Sequence, residues 1–232
     1  MSVPGYAPKK ANIRAYYALE DVNDGSGNGY NLTNTGTVTF SAAKINNGAN
    51  FGSSNTTKRL NISNNLGITT QTATFMLWVK NLAEISTGDW GIISHVNNTT
   101  KITWQLDYQY NGGTRRLAFT RGTQGGGANV VSYYNVTMCT SDFHNVGMAS
   151  DGSYIYLIYN GVVRDSDAVS GSGANDWYGN GFEIGCYFNT SGKFASILAD
   201  ECIVWNTLLS SAEMLQVYNM RAKTGGAFLL FL

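Results

Sequence analysis

From Lys101 to Tyr108 the chain alternates without a break: Ile102, Trp104, Leu106 and Tyr108 are apolar or aromatic, and Lys101, Thr103, Gln105 and Asp107 are polar. A period of two sends the sets to opposite faces, so the stretch predicts a half-buried β-strand. Phe75, Leu77 and Val79 repeat the pattern inside ATFMLWVK. Asp151-Gly152 and Asn160-Gly161 place tight turns on either side of SYIYLIY, which predicts a three-strand meander over 143–164. Further strands are expected at 13–19, 37–41, 58–62, 90–96, 115–121, 130–137, 182–188 and 197–205. Many short strands parted by Gly, Asn and Ser predict an all-β, two-sheet antiparallel sandwich. One short helix is expected near the C-terminus. Ser210 followed three residues on by Glu213 forms a capping box, and Met214, Leu215, Val217 and Tyr218 then give a one-sided apolar stripe.

The 232 residues suit one domain over 1–224 with a hydrophobic tail over 225–232, because hydrophobic residues at 43% can fill one large core. Fifteen basic residues balance fifteen acidic ones, so the chain lacks the field that holds nucleic acid. The longest apolar run, Ala227 to Leu232, is six residues. A membrane-spanning helix needs roughly 20, so none is expected. The start, MSVPGYAPKKANIR, has no apolar h-region, and no secretory signal peptide is expected. Cys139, Cys186 and Cys202 are too widely spaced for a zinc knuckle and odd in number, which points to buried thiols. The glycine-rich stretches 122–129 and 170–176 do not join a strand to a helix, so they read as rim loops, not phosphate cradles.

Four segments in a fixed order resemble the concanavalin A-like lectin/glucanase superfamily, and within it the laminin-G-like jelly rolls. They are AYYALEDVNDGSGNGYNLTNTGTVTF with its Asp24-Gly-Ser-Gly-Asn28-Gly loop, RLNI followed by TFMLWVK, FHNVGMASDGSYIYLIYNGVV, and SILADECIVWNTLLSSAEMLQVYN with the acidic pair Asp200-Glu201. Together they reach from about Tyr16 to Tyr218. Gly27 and Gly29 would permit positive φ in a tight loop, and Asn160-Gly161 favours a type I′ hairpin. The glycine usual before the last core strand is missing; Phe194-Ala-Ser-Ile stands there instead. The resemblance implies a jelly roll and, at the Asp24 loop, a structural calcium.

Ca²⁺ takes six to eight oxygen ligands. Asp24 and Asn28 offer oxygens in one compact turn, and the resemblance would bring Asp200 beneath it to complete the shell. The alternative is that Asp24 and Asn28 staple turns through their own backbone. For a sugar, loop aromatics can stack on pyranose faces while Asn and Asp bond hydroxyls. Asn175, Asp176, Trp177 and Tyr178 form one such cluster, Tyr108 and Tyr110 ahead of Gly112-Gly113 a second, and Trp90 a third. Each could instead fold back on the rim of the core, and Trp78, Trp104 and Trp205 belong to strand patterns.

Catalysis has little to stand on. A glycosidase needs two carboxylates roughly 5 to 9.5 Å apart. No Glu-x-Asp-x-x-Glu run is present, and Asp200 and Glu201, as neighbours, are expected on opposite faces. His95 and His144 are the only histidines and lack partner motifs. A binding module for a glycan or host cell surface is therefore expected ahead of a glycoside hydrolase. The missing leader favours a phage virion surface, and a purely structural virion protein is the alternative, its tail docking on a neighbouring subunit.

Overall fold

The computed structural model describes residues 2–97, 102–122, 129–138, 140–169, 181–187 and 193–222. Two antiparallel sheets face one another. The eight-stranded sheet runs β13 (Val162–Ala168), β12 (Tyr154–Tyr159), β11 (His144–Asp151), β6 (Thr72–Asn81), β15 (Ile197–Trp205), β4 (Asn47–Asn50) and β3 (Thr39–Ala42), with β1 (Ile13–Tyr17) also paired to β15. The seven-stranded sheet runs β10 (Val130–Asn135), β9 (Thr114–Gly122), β8 (Ile102–Asn111), β7 (Gly88–Asn97), β14 (Gly181–Ile184), β5 (Arg59–Ile62) and β2 (Thr33–Thr35). The expected strands are present, with two additions: β2 is three residues long, and β4, NGAN, carries no β-branched side chain. The tail 225–232 and Cys139 lie outside the described residues.

The alternation seen in the sequence builds the core. Trp104, Leu106 and Tyr108 of β8 and Leu117 and Phe119 of β9 point inward, against Phe75, Leu77 and Val79 of β6. Phe75 sits edge-on to Trp104 with centroids 5.3 Å apart and stacks with Phe182 of β14 at 6.2 Å, so one side chain joins three strands. Asn160 and Gly161 both take positive φ, 52° and 72°, as a type I′ turn requires.

The other face of the eight-stranded sheet is covered too. Helix α1 (Ser211–Ala222) and the N-terminal segment bury Tyr16, Met76, Ile203 and Trp205 beneath Met214 and Val217. The capping box forms as expected: the Glu213 amide donates to Ser210 Oγ at 3.3 Å, and Glu213 Oε2 accepts from the Ser210 amide at 2.7 Å. The open edges meet at β10 and β13. There the Tyr133 amide donates to Asp165 Oδ2 at 2.8 Å and Ser132 Oγ to Asp167 Oδ2 at 2.6 Å, which blunts edges that could otherwise recruit another strand.

One expectation is corrected. Asp200 and Glu201 do not alternate, because β15 bulges between Asp200 and Ile203 and Glu201 takes a left-handed φ of 51°. Asp200 lies opposite Trp78, and Glu201 accepts from the Tyr16 hydroxyl at 3.0 Å, so both carboxylates reach the helix-covered face. Each is spent on the fold: Asp200 Oδ2 accepts the Ile45 amide at 2.7 Å.

Phe75→Ala is expected to destabilise the domain by about 3–5 kcal/mol, read from denaturant unfolding, because its cavity opens between three strands at once.

Candidate binding face

The Asp24 loop is held by its own hydrogen bonds. Asp24 Oδ1 accepts the amides of Tyr16 at 3.1 Å and Ser26 at 2.8 Å; Oδ2 accepts Ser26 Oγ at 2.8 Å and the Tyr30 amide at 3.1 Å. Four donors fill the sites a carboxylate offers. Asn28 turns its amide nitrogen toward the Arg14 carbonyl at 3.0 Å and Ser26 Oγ at 3.1 Å. A cation here would have to displace donors from Asp24, so these contacts support the turn-stapling alternative. Asp200 directs Oδ2 to Ile45, and among the described residues no three His, Cys, Asp or Glu side chains gather as a metal cluster.

The expected aromatics divide. Asn175, Asp176, Trp177 and Tyr178 lie outside the described residues. Tyr108 is a core residue, 1% exposed, whose hydroxyl accepts the Met138 amide at 2.9 Å. It is no rim residue because β8 continues three residues beyond it to Asn111. Trp90 pairs with Tyr108 across β7 and β8, and both Trp90 and Tyr110 are half-buried against the core, with Arg115 over the Tyr110 ring at 5.7 Å. The histidines are structural. His95 Nε2–H donates to the Asn65 carbonyl at 3.0 Å and packs on Phe75. Burial pushes its pKa down to about 4, with the Asn65 bond opposing, so the ring is neutral over the physiological range. His144 Nδ1 meets the Tyr159 hydroxyl at 2.7 Å.

The face that does gather polar chemistry is the outer one of the seven-stranded sheet. Since Trp104, Leu106 and Tyr108 point inward, Gln105, Asp107 and Gln109 must point out. The register then sets Asn135, Arg116, Gln109 and Asp89 side by side on four adjacent strands, with Tyr133, Ala118, Asp107 and Gly91 in the next row. The contacts confirm this alignment. Arg116 Nε donates to Gln109 Oε1 at 3.0 Å, and its guanidinium lies 3.9 Å from the centroid of the Tyr133 ring, which is 41% exposed. At the other end Lys193 bonds Asp89 at 2.8 Å and rests over Tyr187 at 4.5 Å. Two tyrosine–cation pairs thus bracket Gln109 and Asp89.

Tyr187 reaches this face through a gap that glycine leaves. A Cβ at Gly91 would collide with the Tyr187 nitrogen and the Cys186 carbonyl carbon. With none there, Tyr187 crosses β7 and donates its hydroxyl to Asp107 Oδ2 on β8. Asp107 is 0% exposed. Burial raises its pKa to about 8; the Tyr187 bond opposes this, Asp89 adds to the rise, and Lys193 and Gln109 lower it. Further along, Glu183 is buried opposite Ser94, with Arg59 Nε 3.7 Å from Oε1. No motif marks Asp107, Tyr187 or Arg116. Their one signal in the sequence is an aspartate within a strand, among the polar positions of the alternation.

No family model matches the chain, and no curated protein matches it. Solved structures do. Domain 4 of AbnA, a GH43 extracellular arabinanase from Geobacillus stearothermophilus in complex with arabinotriose, has a TM-score of 0.66 at 17% identity over 89% of this chain and 98% of that one. The binding domain of botulinum neurotoxin DC in complex with rat synaptotagmin II has a TM-score of 0.71 at 14% identity over 93% of this chain. The binding domain of Paraclostridial Mosquitocidal Protein 1 gives 0.69 at 14% over 92%. The chain spans 53% of each toxin domain, about half its length. These likenesses establish the fold, a jelly-roll β-sandwich.

Asp24→Ala is expected to lower Tm equally in calcium and in EDTA, at a cost of about 1–3 kcal/mol for the lost turn bonds. A wild-type Tm that rises with calcium, and does so no longer in the variant, would instead establish a cation at the loop.

Proposed function

We propose that the domain is a recognition module that binds a glycan, or a glycan-bearing cell surface, without transforming it. The observation that carries this reading is the outward-facing row from exposed Tyr133 through half-buried Arg116, Gln109, Asp89 and Lys193 to buried Tyr187. Sugar hydroxyls both donate and accept. Gln109, Asp89 and Arg116 supply both partners, and a tyrosine ring can take the apolar face of a pyranose. Asn135, Arg116, Gln109 and Asp89 span three strand spacings, about 14 Å, enough for an extended chain of sugar rings. The lack of net charge suits an uncharged ligand. That the AbnA domain was solved with arabinotriose supports sugar as the ligand class.

Binding fits better than catalysis. Asp107 lies beneath Tyr187, and Glu183 is 4% exposed and faces Arg59, so neither carboxylate is presented to a glycosidic oxygen. The setting we propose is a phage virion surface, because stand-alone domains of the laminin-G-like kind that the sequence resembles are familiar among phage structural proteins.

On a glycan array that includes arabino-oligosaccharides, the wild-type domain should bind, with little sensitivity to salt. Tyr133→Ala and Arg116→Ala should each weaken binding about tenfold while leaving Tm nearly unchanged, since both side chains sit on the solvent face. A flat array from folded protein, or variants that bind like wild type, would reject the proposal.

A further inference from the structure

Asp107 is buried on the outer face of a sheet, where alternation alone would expose it. Its cover is Tyr187, and four backbone hydrogen bonds fix the residues beside Tyr187 to β7 and to one another. The Gly185 amide donates to Ile92 O at 2.9 Å, Ala195 to Gly185 O at 2.9 Å, Gly91 to Lys193 O at 3.2 Å, and Tyr187 to Lys193 O at 3.3 Å. Asp107 Oδ2 takes the Tyr187 hydroxyl, while Oδ1, wholly buried, has no hydrogen-bond partner. Lys193, the cation that acts on Asp107, is already engaged with Asp89, whose own negative charge also acts on Asp107. Behind the carboxyl, β9 offers the methyl of Ala118, and Arg116 is turned to Gln109. An ionised carboxylate is poorly served in that position, because half of it is neither solvated nor bonded.

From this geometry we infer that Asp107 and Tyr187 form a proton-linked catch: a protonated Asp107 keeps Tyr187 down across Gly91, and its ionisation frees Tyr187 from the sheet. The consequence for ligand binding rests on the proposed function, since Tyr187 is one aromatic end of the row. The catch itself does not. Burial, the largest influence, lifts Asp107 from 3.8 to about 8. The docked state therefore holds a proton that the undocked state releases. Docking has its full strength below the ordinary value and loses it steadily as pH rises from about 4 through about 8. Burial and the neighbouring Asp107 push Tyr187 itself upward, so its hydroxyl stays protonated throughout and Asp107 is the group that titrates.

Amide hydrogen exchange on the free full-length protein tests this between pH 6 and 9. Protection factors for the Gly91, Gly185, Tyr187 and Ala195 amides should fall about tenfold per pH unit up to about 8 and then level off. Amides in the β6–β11 ladder should not follow, and Asp107→Asn should abolish the dependence. Protection that stays constant with pH, an Asp107→Asn protein that keeps the wild-type curve, or core amides that share it would each overturn the catch. Should Asp107→Asn fail to fold, the Asp107 carboxyl carbon can be titrated by NMR in the wild type: a midpoint between about 7 and 9 supports the catch, and one near the ordinary carboxylate value refutes it. No glycan enters these measurements, so they stand apart from the binding test.

Discussion

The contact between Phe75 and Trp104, 5.3 Å apart across the two sheets, decides what the seven-stranded sheet can show to solvent. Once Trp104 is in the core, Leu106 and Tyr108 must follow it, and Gln105, Asp107 and Gln109 are assigned to the opposite face. The same logic on β9 buries Leu117 and Phe119 and presents Arg116. A slip of one residue would exchange the faces of a whole strand. The polar row on this face is therefore a by-product of core packing: rigid strands hold Tyr133, Arg116, Gln109 and Asp89 at fixed spacing, while Lys193 and Tyr187 join it from outside the strands.

Much of the fold was legible because alternation is a local signal. Trp78, Trp104 and Trp205, read as packing residues from their strand patterns, are 2%, 1% and 0% exposed. The paired turns of the meander stand where Asp-Gly and Asn-Gly put them. What escaped was non-local or irregular. The Thr33–Thr35 strand is too short for a period to register, and NGAN has a turn-like composition yet is held between β15 and β3. The bulge at Glu201 interrupts alternation, so a rule that holds for regular strands misplaced the Asp200-Glu201 pair. Tyr108 fits two sequence patterns, the inward set of the 101–108 strand and an aromatic cluster ahead of Gly112-Gly113, and its burial at 1% exposure decides for the strand.

The candidate site was half legible. Asp107, Gln105 and Arg116 stand in segments read correctly as strands, but a polar residue at a solvent-facing position carries no further mark in sequence. Tyr187 is eighty residues from Asp107, and their contact depends on the missing side chain at Gly91. Such a coincidence of a glycine, a crossing backbone and a buried carboxyl exists only in three dimensions. The Asp24 loop is the opposite case: its residues were evident, and the structure shows the work they do, with the carboxylate tying Tyr16, Ser26 and Tyr30 into one turn.

The fold is shared with domains at 17% identity or below, where few side chains coincide, so recognition has to be argued from the face this chain builds for itself. The most direct measurement is amide chemical-shift mapping while an arabino-oligosaccharide is titrated into the labelled protein. If the outer face of the seven-stranded sheet is the binding surface, the shifts will cluster at Gln109, Arg116, Ala118 and Tyr133 on neighbouring strands. Shifts confined to the Asp24 loop or to the helix-covered face, with that row unmoved, would contradict it.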